Sequence, residues 1–471
     1  MKNLLMVILL TLFTLSLAAC GSGGSSGDSI TQTDGSTTDT TTNTGGGTTT
    51  GTGSLGDLVD IGDLLGAAGD AWYDTETIDI NLSGQIIGSS MDKAIFWDPA
   101  TPDSMTRISG VTGSFDDFFN LQENPSENTF ETIEVLKITD SGLVIGNVYT
   151  KNGASESRGF VWDASTHAFI NLIPPSYLDT NEKRIFPSYS NAVDISANGE
   201  VLLTADYKDG TWAYFWDGTY DTIDDLETAA GDPVPAFQVP HLVKATSIIG
   251  ADSSEAVALN DHRQMVVNSG GTATFTDLNN GGYASLNSLS GAATTAIDIN
   301  NNGHVIGNSG SEGFFWRGGV MYPISNPSGA AVEVVDINDN DIVLGNSDGE
   351  AFIWKLNPNT LEGVFTFIGD LGGGSSTGVE INNLDEVVGY STTGNTYVEG
   401  NISAAVVHGF LWRNNVMYDL GAHSPPDYSY PFYPDFYFSQ ARAINEAGDV
   451  TGISYSINAH DRGFTLTPTF P

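Results

Sequence analysis

The chain has 471 residues and sets 58 Asp and Glu against 16 Lys and Arg, a formal charge of −42, with 40% hydrophobic residues and one cysteine. The apolar share is enough for a large core, so the chain as a whole is not a disordered polyanion. The charge opposes a phosphate backbone, which argues against a nucleic-acid partner, and one cysteine excludes a disulfide framework and a cysteine-cluster metal site.

Taken from the N-terminus, residues 1–19 read as an export signal: Lys2, the apolar run Leu4–Leu17, then small residues. The run is too short for a permanent membrane span. Leu17-Ala18-Ala19-Cys20 resembles the lipobox of bacterial lipoproteins, which implies cleavage before Cys20 and a lipid on its thiol. More than one acyl chain on Cys20 would make a stable anchor. Gly21 rather than Asp follows, and by the same resemblance that favours the outer membrane, with the protein facing the periplasm or the cell surface. In residues 21–54, 28 of 34 positions are Gly, Ser or Thr, and Ile30 is the one aliphatic residue. Residues 20–54 are therefore expected to form a disordered tether with an r.m.s. span of roughly 30 Å. No later segment is apolar enough to cross a bilayer.

Residues 55–471 are expected to form one domain, because an internal repeat fills them. Eight anchors share a register: Asn81, Thr139, Ser196, Asn260, Asn300, Asn338, Asn382 and Asn445. Ile or Leu precedes every anchor, an apolar residue stands five positions after it, and six units carry Gly at the seventh: Gly88, Gly146, Gly307, Gly345, Gly389 and Gly452. The pattern Ala-x-Asp-Ile-Asn alternates with period two and leads into a short polar turn, which predicts a hairpin. Three residues after the anchor come Gly84, Gly142, Gly199, Gly303 and Gly448, where a positive φ is needed. Asp341 and Asp385 suit that position, and Arg263 suits it poorly.

A third strand carries Trp97, Trp162, Trp216, Trp316, Trp354 or Trp412, replaced by Thr276 in unit four and Leu466 in unit eight. A fourth strand follows, as in Val416–Gly421. The anchors run from Asn81 to Asn445 with a mean spacing of 52 residues, which suits four short antiparallel strands. The expected fold is all-β: a β-propeller of eight four-stranded blades, with seven as the runner-up. Unit eight stops after its third strand, and Leu58–Gly62 looks like a fourth strand without a preceding third, so the two ends are expected to close the ring. An open solenoid is the weaker alternative. The order of these motifs, best seen in Gly369-Asp370-Leu371-Gly372-Gly373 leading to Gly378–Gly389 and in His408–Trp412, resembles the HAF-family bacterial extracellular repeat. That resemblance implies a secreted or surface repeat protein without an established enzymatic activity, and it transfers no catalytic residue.

Chemistry is harder to read. Asp298, Asn300 and Asn302, followed by Gly303, match the opening of a calcium loop, but Ser309 stands where the closing carboxylate belongs. The alternative is that these residues form the turn. Gly345-x-Ser347-x-Gly349 fits the nucleophile-elbow pattern by letter only, since it joins two strands rather than a strand and a helix. The seven histidines lack metal-ligand spacing, and with 58 acids some close carboxylate pair is inevitable and uninformative. Asp116-Asp117 and Asp224-Asp225 sit in insertions and read as solvated loop acids.

The most distinctive non-repeat segment is 423–438, whose Tyr428, Tyr430, Phe432, Tyr433, Phe436 and Tyr437 could stack on sugar rings or a protein surface, or fold back over the core. Other long insertions fall near 100–130, 223–250 and 390–406. The leading expectation is a lipid-anchored, monomeric envelope propeller that binds or scaffolds a protein or glycan, with no cofactor unless calcium. A carbohydrate-active hydrolase or lyase using the channel is the alternative, and a calcium-stabilised surface protein the third reading.

Overall fold

The β-rich composition and the repeat resolve into eight antiparallel four-stranded blades, one of them extended by a fifth, parallel strand, in a computed structural model, which describes residues 49–51, 55–64, 74–109, 130–150, 157–172, 174, 177–178, 184–185, 187–223, 237–244, 253–289, 291–399, 402–422, 438–455 and 461–470. Each blade is one repeat, its strands running from the channel outwards in chain order except for the outermost strand of the last blade, and the eight form the ring of a β-propeller. The inner strands are Thr75–Ile80, Phe130–Ile138, Tyr189–Ile195, Glu255–Leu259, Thr294–Ile299, Val332–Ile337, Ser376–Ile381 and Phe438–Ile444, here taken as blades 1 to 8. Blade 5 is the simplest, continuing through Val305–Ser309, Glu312–Arg317 and Val320–Ile324. Among the described residues there is no helix.

The register explains the sequence signature. Every one of the six repeat tryptophans pairs with the apolar residue five positions after its anchor, as in Trp316 with Val305 and Trp412 with Val387. Thr276 and Leu466 occupy the same place opposite Met265 and Val450. The tryptophans are buried between adjacent blades, so the core is a chain of inter-blade contacts rather than one central cluster. The glycine seven residues after the anchor has a packing cause. A Cβ on Gly307 would land on the Thr295 carbonyl and 2.6 Å from Phe314, the aromatic that lies across it. Units three and four replace this glycine with Leu203 and Val267, paired with Tyr214 and Thr274 instead of Phe.

All eight turn positions have positive φ, including Arg263 at 60°, Asp341 at 60° and Asp385 at 62°. The expected strict alternation does not hold along the inner strands. In all eight a β-bulge falls three residues before the anchor, for example between Ala296 and Asp298. The extra residue breaks the period of two and re-aims the next side chain into the channel.

Closure follows the expected route. Val59–Asp60 pairs with Arg462–Leu466 and supplies the fourth strand of blade 8. Ile61 and Leu55 are buried beside it, and Arg462 donates to Asp60 at 2.9 and 3.2 Å. One feature was not expected: Thr49–Gly51, within the predicted tether, pairs in parallel with Val416–Gly421 at the outer edge of blade 7. An outer strand leaves a row of unpaired backbone groups, and a Thr-rich segment can satisfy them.

Candidate functional site

The channel is built from the re-aimed residue two positions before each anchor: Asp79, Lys137, Asp194, Ala258, Asp298, Asp336, Glu380 and Ala443. Five carboxylates and one lysine thus meet on the axis. The bulges also turn eight backbone amides inward, and every one donates to a carboxylate of this ring. Asp79 accepts from Ile80 and Ile138, Asp194 from Ile195 and Leu259, and Asp336 from Ile337 and Ile381, all at 2.7–2.8 Å. Asp298 accepts from Ile299 at 2.8 Å and Glu380 from Ile444 at 2.9 Å. A carboxylate therefore serves its own blade, the next, or both, which is why Ala258, Ala443 and Lys137 are tolerated: the amides after them are reached from the preceding blade.

Lys137 Nζ lies 2.8 Å from Asp194 Oδ1, with half of its side chain open to the channel and Asp194 largely enclosed. The Asp194 charge outweighs burial and holds the ammonium above its ordinary range, so Lys137 is a fixed cation. Burial pushes the Asp79 and Asp336 carboxyls up, while backbone amides pull them down. Glu380 is driven well above the usual range by burial, then by the charges of Asp79 and Asp336.

Two further rings stack above this one. In the first, the anchor amide bridges blades: the Nδ2 groups of Asn81, Asn260, Asn300, Asn338, Asn382 and Asn445 donate to the next anchor's carbonyl at 2.8–3.0 Å. The bond from Asn445 to Asn81 closes the circle. Thr139 and Ser196 are too short to reach, and ion pairs stand at those two junctions: Lys137 with Asp194, and Glu200 with Arg263 at 2.5 Å. In the outermost ring Asp140, Asp261, Asn301, Asp339, Asn383 and Glu446 each accept the corresponding amide of the preceding blade at 2.7–2.9 Å. These rings enclose a cavity of about 290 Å³ at the channel mouth.

The side chains of the calcium reading are employed separately. Asp298 points to the channel, Asn300 belongs to the bridging ring, and Asn302 donates to the Asp339 carbonyl at 2.7 Å. Among the described residues no group of three or more His, Cys, Asp or Glu is arranged to hold a metal ion. Ser347 ends the strand Ile342–Ser347, buried, donating to the Ala331 carbonyl at 2.7 Å. Cys20, Tyr428, Tyr430, Phe432, Tyr433, Phe436, Tyr437, Asp116, Asp117, Asp224 and Asp225 lie outside the described residues.

The strand order fixes which end of the ring each connection leaves from. The anchor turns share one face with the links between third and fourth strands; the links between second and third strands and between blades share the other. The described strands on either side of residues 110–129, 245–252 and 423–437 end and begin at this second face, whereas those on either side of 224–236 do so at the first. At the second face too the hairpin Val387–Glu399 and Ile402–Arg413 outgrows its counterparts and seats Tyr397 edge-on to Phe438, at 5.9 Å. Phe438, the first described residue after the aromatic insertion, stacks on Tyr455 at 5.3 Å. Sequence reasoning missed the channel ring and the pairs His304–Asp341 and His408–Asp419, 2.6 and 2.8 Å. The signal for the ring was present, since the position two before the anchor is charged in six of eight units.

No family model matches the chain, and no curated protein matches it. Solved structures do. The β-propeller domain of the Trilobed protease from Pyrococcus furiosus is 9% identical, covers 72% of this chain and 96% of that one, and has a TM-score of 0.36. A structure of the Mitotic Checkpoint Complex is 12% identical over 76% of this chain and 99% of that one, with a TM-score of 0.37. Virginiamycin B lyase from Staphylococcus aureus with quinupristin is 10% identical over 67% and 91%, with a TM-score of 0.35. At such identities and TM-scores these likenesses carry no argument; the eight sheets of the structure itself make the chain an eight-bladed β-propeller.

Proposed function

We propose that this chain is a monomeric, lipid-anchored envelope propeller of the HAF-repeat kind that binds or scaffolds a protein or glycan through the face that carries Tyr397 and Phe438. The propeller fold suits a binding or scaffolding module. The observation that carries the reading is the aromatic cluster of Tyr397, Phe438 and Tyr455 at the second face, built where the chain leaves residues 423–437. Rigid scaffolds concentrate binding residues in their connections. The channel carboxylates, by contrast, are spent on backbone amides and hold blades together.

The test is glycan-array and envelope-protein capture with the wild type and a Tyr430→Ala, Tyr433→Ala variant. Binding that the variant loses supports the reading, and binding that survives unchanged counts against it. Metabolic labelling with a fatty acid, present in the wild type and lost in Cys20→Ser, tests the anchor. The hydrolase or lyase reading rests on Lys137 standing among carboxylates, and turnover of a polysaccharide abolished by Lys137→Met would favour it. The calcium reading predicts a melting temperature that a chelator lowers.

A further inference from the structure

Seven of the eight junctions between blades are lined from the same apolar positions, and one is not. Six residues after the anchor stands an aliphatic side chain, from Ile87 in blade 1 to Val388 in blade 7, buried in the cluster its blade shares with the next. The residue at the position before the repeat tryptophan joins the same clusters, Phe96, Phe215, Phe315 and Leu411 among them. So does the bulged residue three before the anchor, as with Ile78, Leu136, Ile297 and Val335. In blade 8 these three positions hold Thr451, Thr465 and Arg442.

The junction of blades 8 and 1 is therefore built differently. Its buried apolar cluster is Ile80, Ile86 and Trp97 of blade 1 with Ile61 of the N-terminal segment, and the repeat of blade 8 contributes Ala443 to it. Trp162, Trp316 and Trp354 each tilt against an aromatic ring of the preceding blade at 5.1–5.5 Å. For Trp97 the residue at that place in the preceding blade is Thr465. Thr77, fully buried, donates to the Gly452 carbonyl across the junction at 3.0 Å, a bond that water can replace. Arg442 Nε is buried and has no hydrogen-bond partner among the described residues. An unmet buried donor raises the energy of the closed junction and regains water when the junction opens.

The stability of a chain of repeats is roughly the sum of its units and of the interfaces between neighbours, and the region with the fewest buried apolar contacts opens first. We infer that the ring parts at the junction of blades 8 and 1, in a local opening that leaves the other seven junctions shut. Val59–Asp60 stays paired with Arg462–Leu466, because that closure lies within blade 8.

The test uses the full chain with Cys20→Ser, which removes the one native cysteine. Thr77→Cys and Ala296→Cys each place a thiol four residues before the anchor, at a buried position of the 8–1 and of the 4–5 junction. Under native conditions the thiol at position 77 should react with a maleimide roughly tenfold or more faster, since one buried aliphatic side chain is worth at least about that factor. Arg442→Ile with Thr451→Val restores side chains of the usual kind. It should slow labelling at position 77 by about the same factor and leave position 296 unchanged. Equal or slower labelling at position 77, or a rate there that the double substitution does not change, would overturn the inference. If Thr77→Cys fails to fold, Thr451→Cys against Val266→Cys, both fully buried, makes the same comparison six residues after the anchor.

Discussion

The closure of the ring rests on a contact that one substitution can remove. Arg462 donates from Nε and Nη2 to Asp60 Oδ2 at 3.2 and 2.9 Å, and Nη1 lies 3.6 Å from Asp63. The three side chains are 9%, 17% and 4% exposed, so the charges are screened little by water. Arg462→Ala removes the cation beside two enclosed carboxylates, and breaking a buried pair in this way costs about 3–5 kcal/mol. Asp60 Oδ1 retains the Gly62 amide at 2.8 Å, which places the expected loss near the lower figure. Equilibrium urea unfolding would read it as a lower midpoint at an unchanged slope. Limited proteolysis should then cut first at the freed N-terminal strand. A loss under about 1 kcal/mol, the worth of an exposed pair, would refute the reasoning and leave closure to the backbone pairing and to Ile61.

Four other changes probe the rings. Asn382→Ala removes bonds to the Asn445 carbonyl and Glu386, each at 3.0 Å, and should cost about 1–3 kcal/mol in urea unfolding. Gly307→Ala drives a methyl against the Thr295 carbonyl and Phe314 and should cost about 1–3 kcal/mol by the same measure. Arg263→Gly relieves a positive φ, a gain of about 1–2 kcal/mol, but leaves the enclosed Glu200 with the Ser196 hydroxyl and no cation. The net effect should be a lower melting temperature. Lys137→Met should destabilise at neutral pH and progressively less in strong alkali, because the raised ammonium contributes fully below its unfolded value and is lost as pH passes its folded one.

The parts of the fold that a single repeat determines were legible, and those that need two repeats were not. Gly303 and Gly307 reported the turn and the close approach of Phe314, and the Val305–Trp316 pairing follows from counting along one hairpin. The missing fourth strand of unit eight pointed to Leu58–Gly62 because an open edge demands a partner. The partner of Asn300, in contrast, is the carbonyl of Asn338 in another blade, and no period in the sequence announces a bond between units. Asp298 was visible as a recurrent acid, but a strict alternation assigns it a place on a strand face. Only the bulge beside Ala296 sends it to the axis.

The bulge also resolves the puzzle of charge. A chain at −42 gathers five carboxylates around its own axis, where their repulsion is hardest to screen, yet sends only Lys137 among them. The counter-charge is the backbone. Each bulge frees one amide from its strand ladder and aims it inward, and eight such dipoles converge on five acids. This accounts for the bulges at Ala258 and Ala443, where no side chain needs re-aiming: Leu259 and Ile444 must still present their amides to Asp194 and Glu380. The ring is therefore held by bonds that added salt barely weakens, since they are short and enclosed. The surplus acid left on the outside is free to keep the propeller soluble.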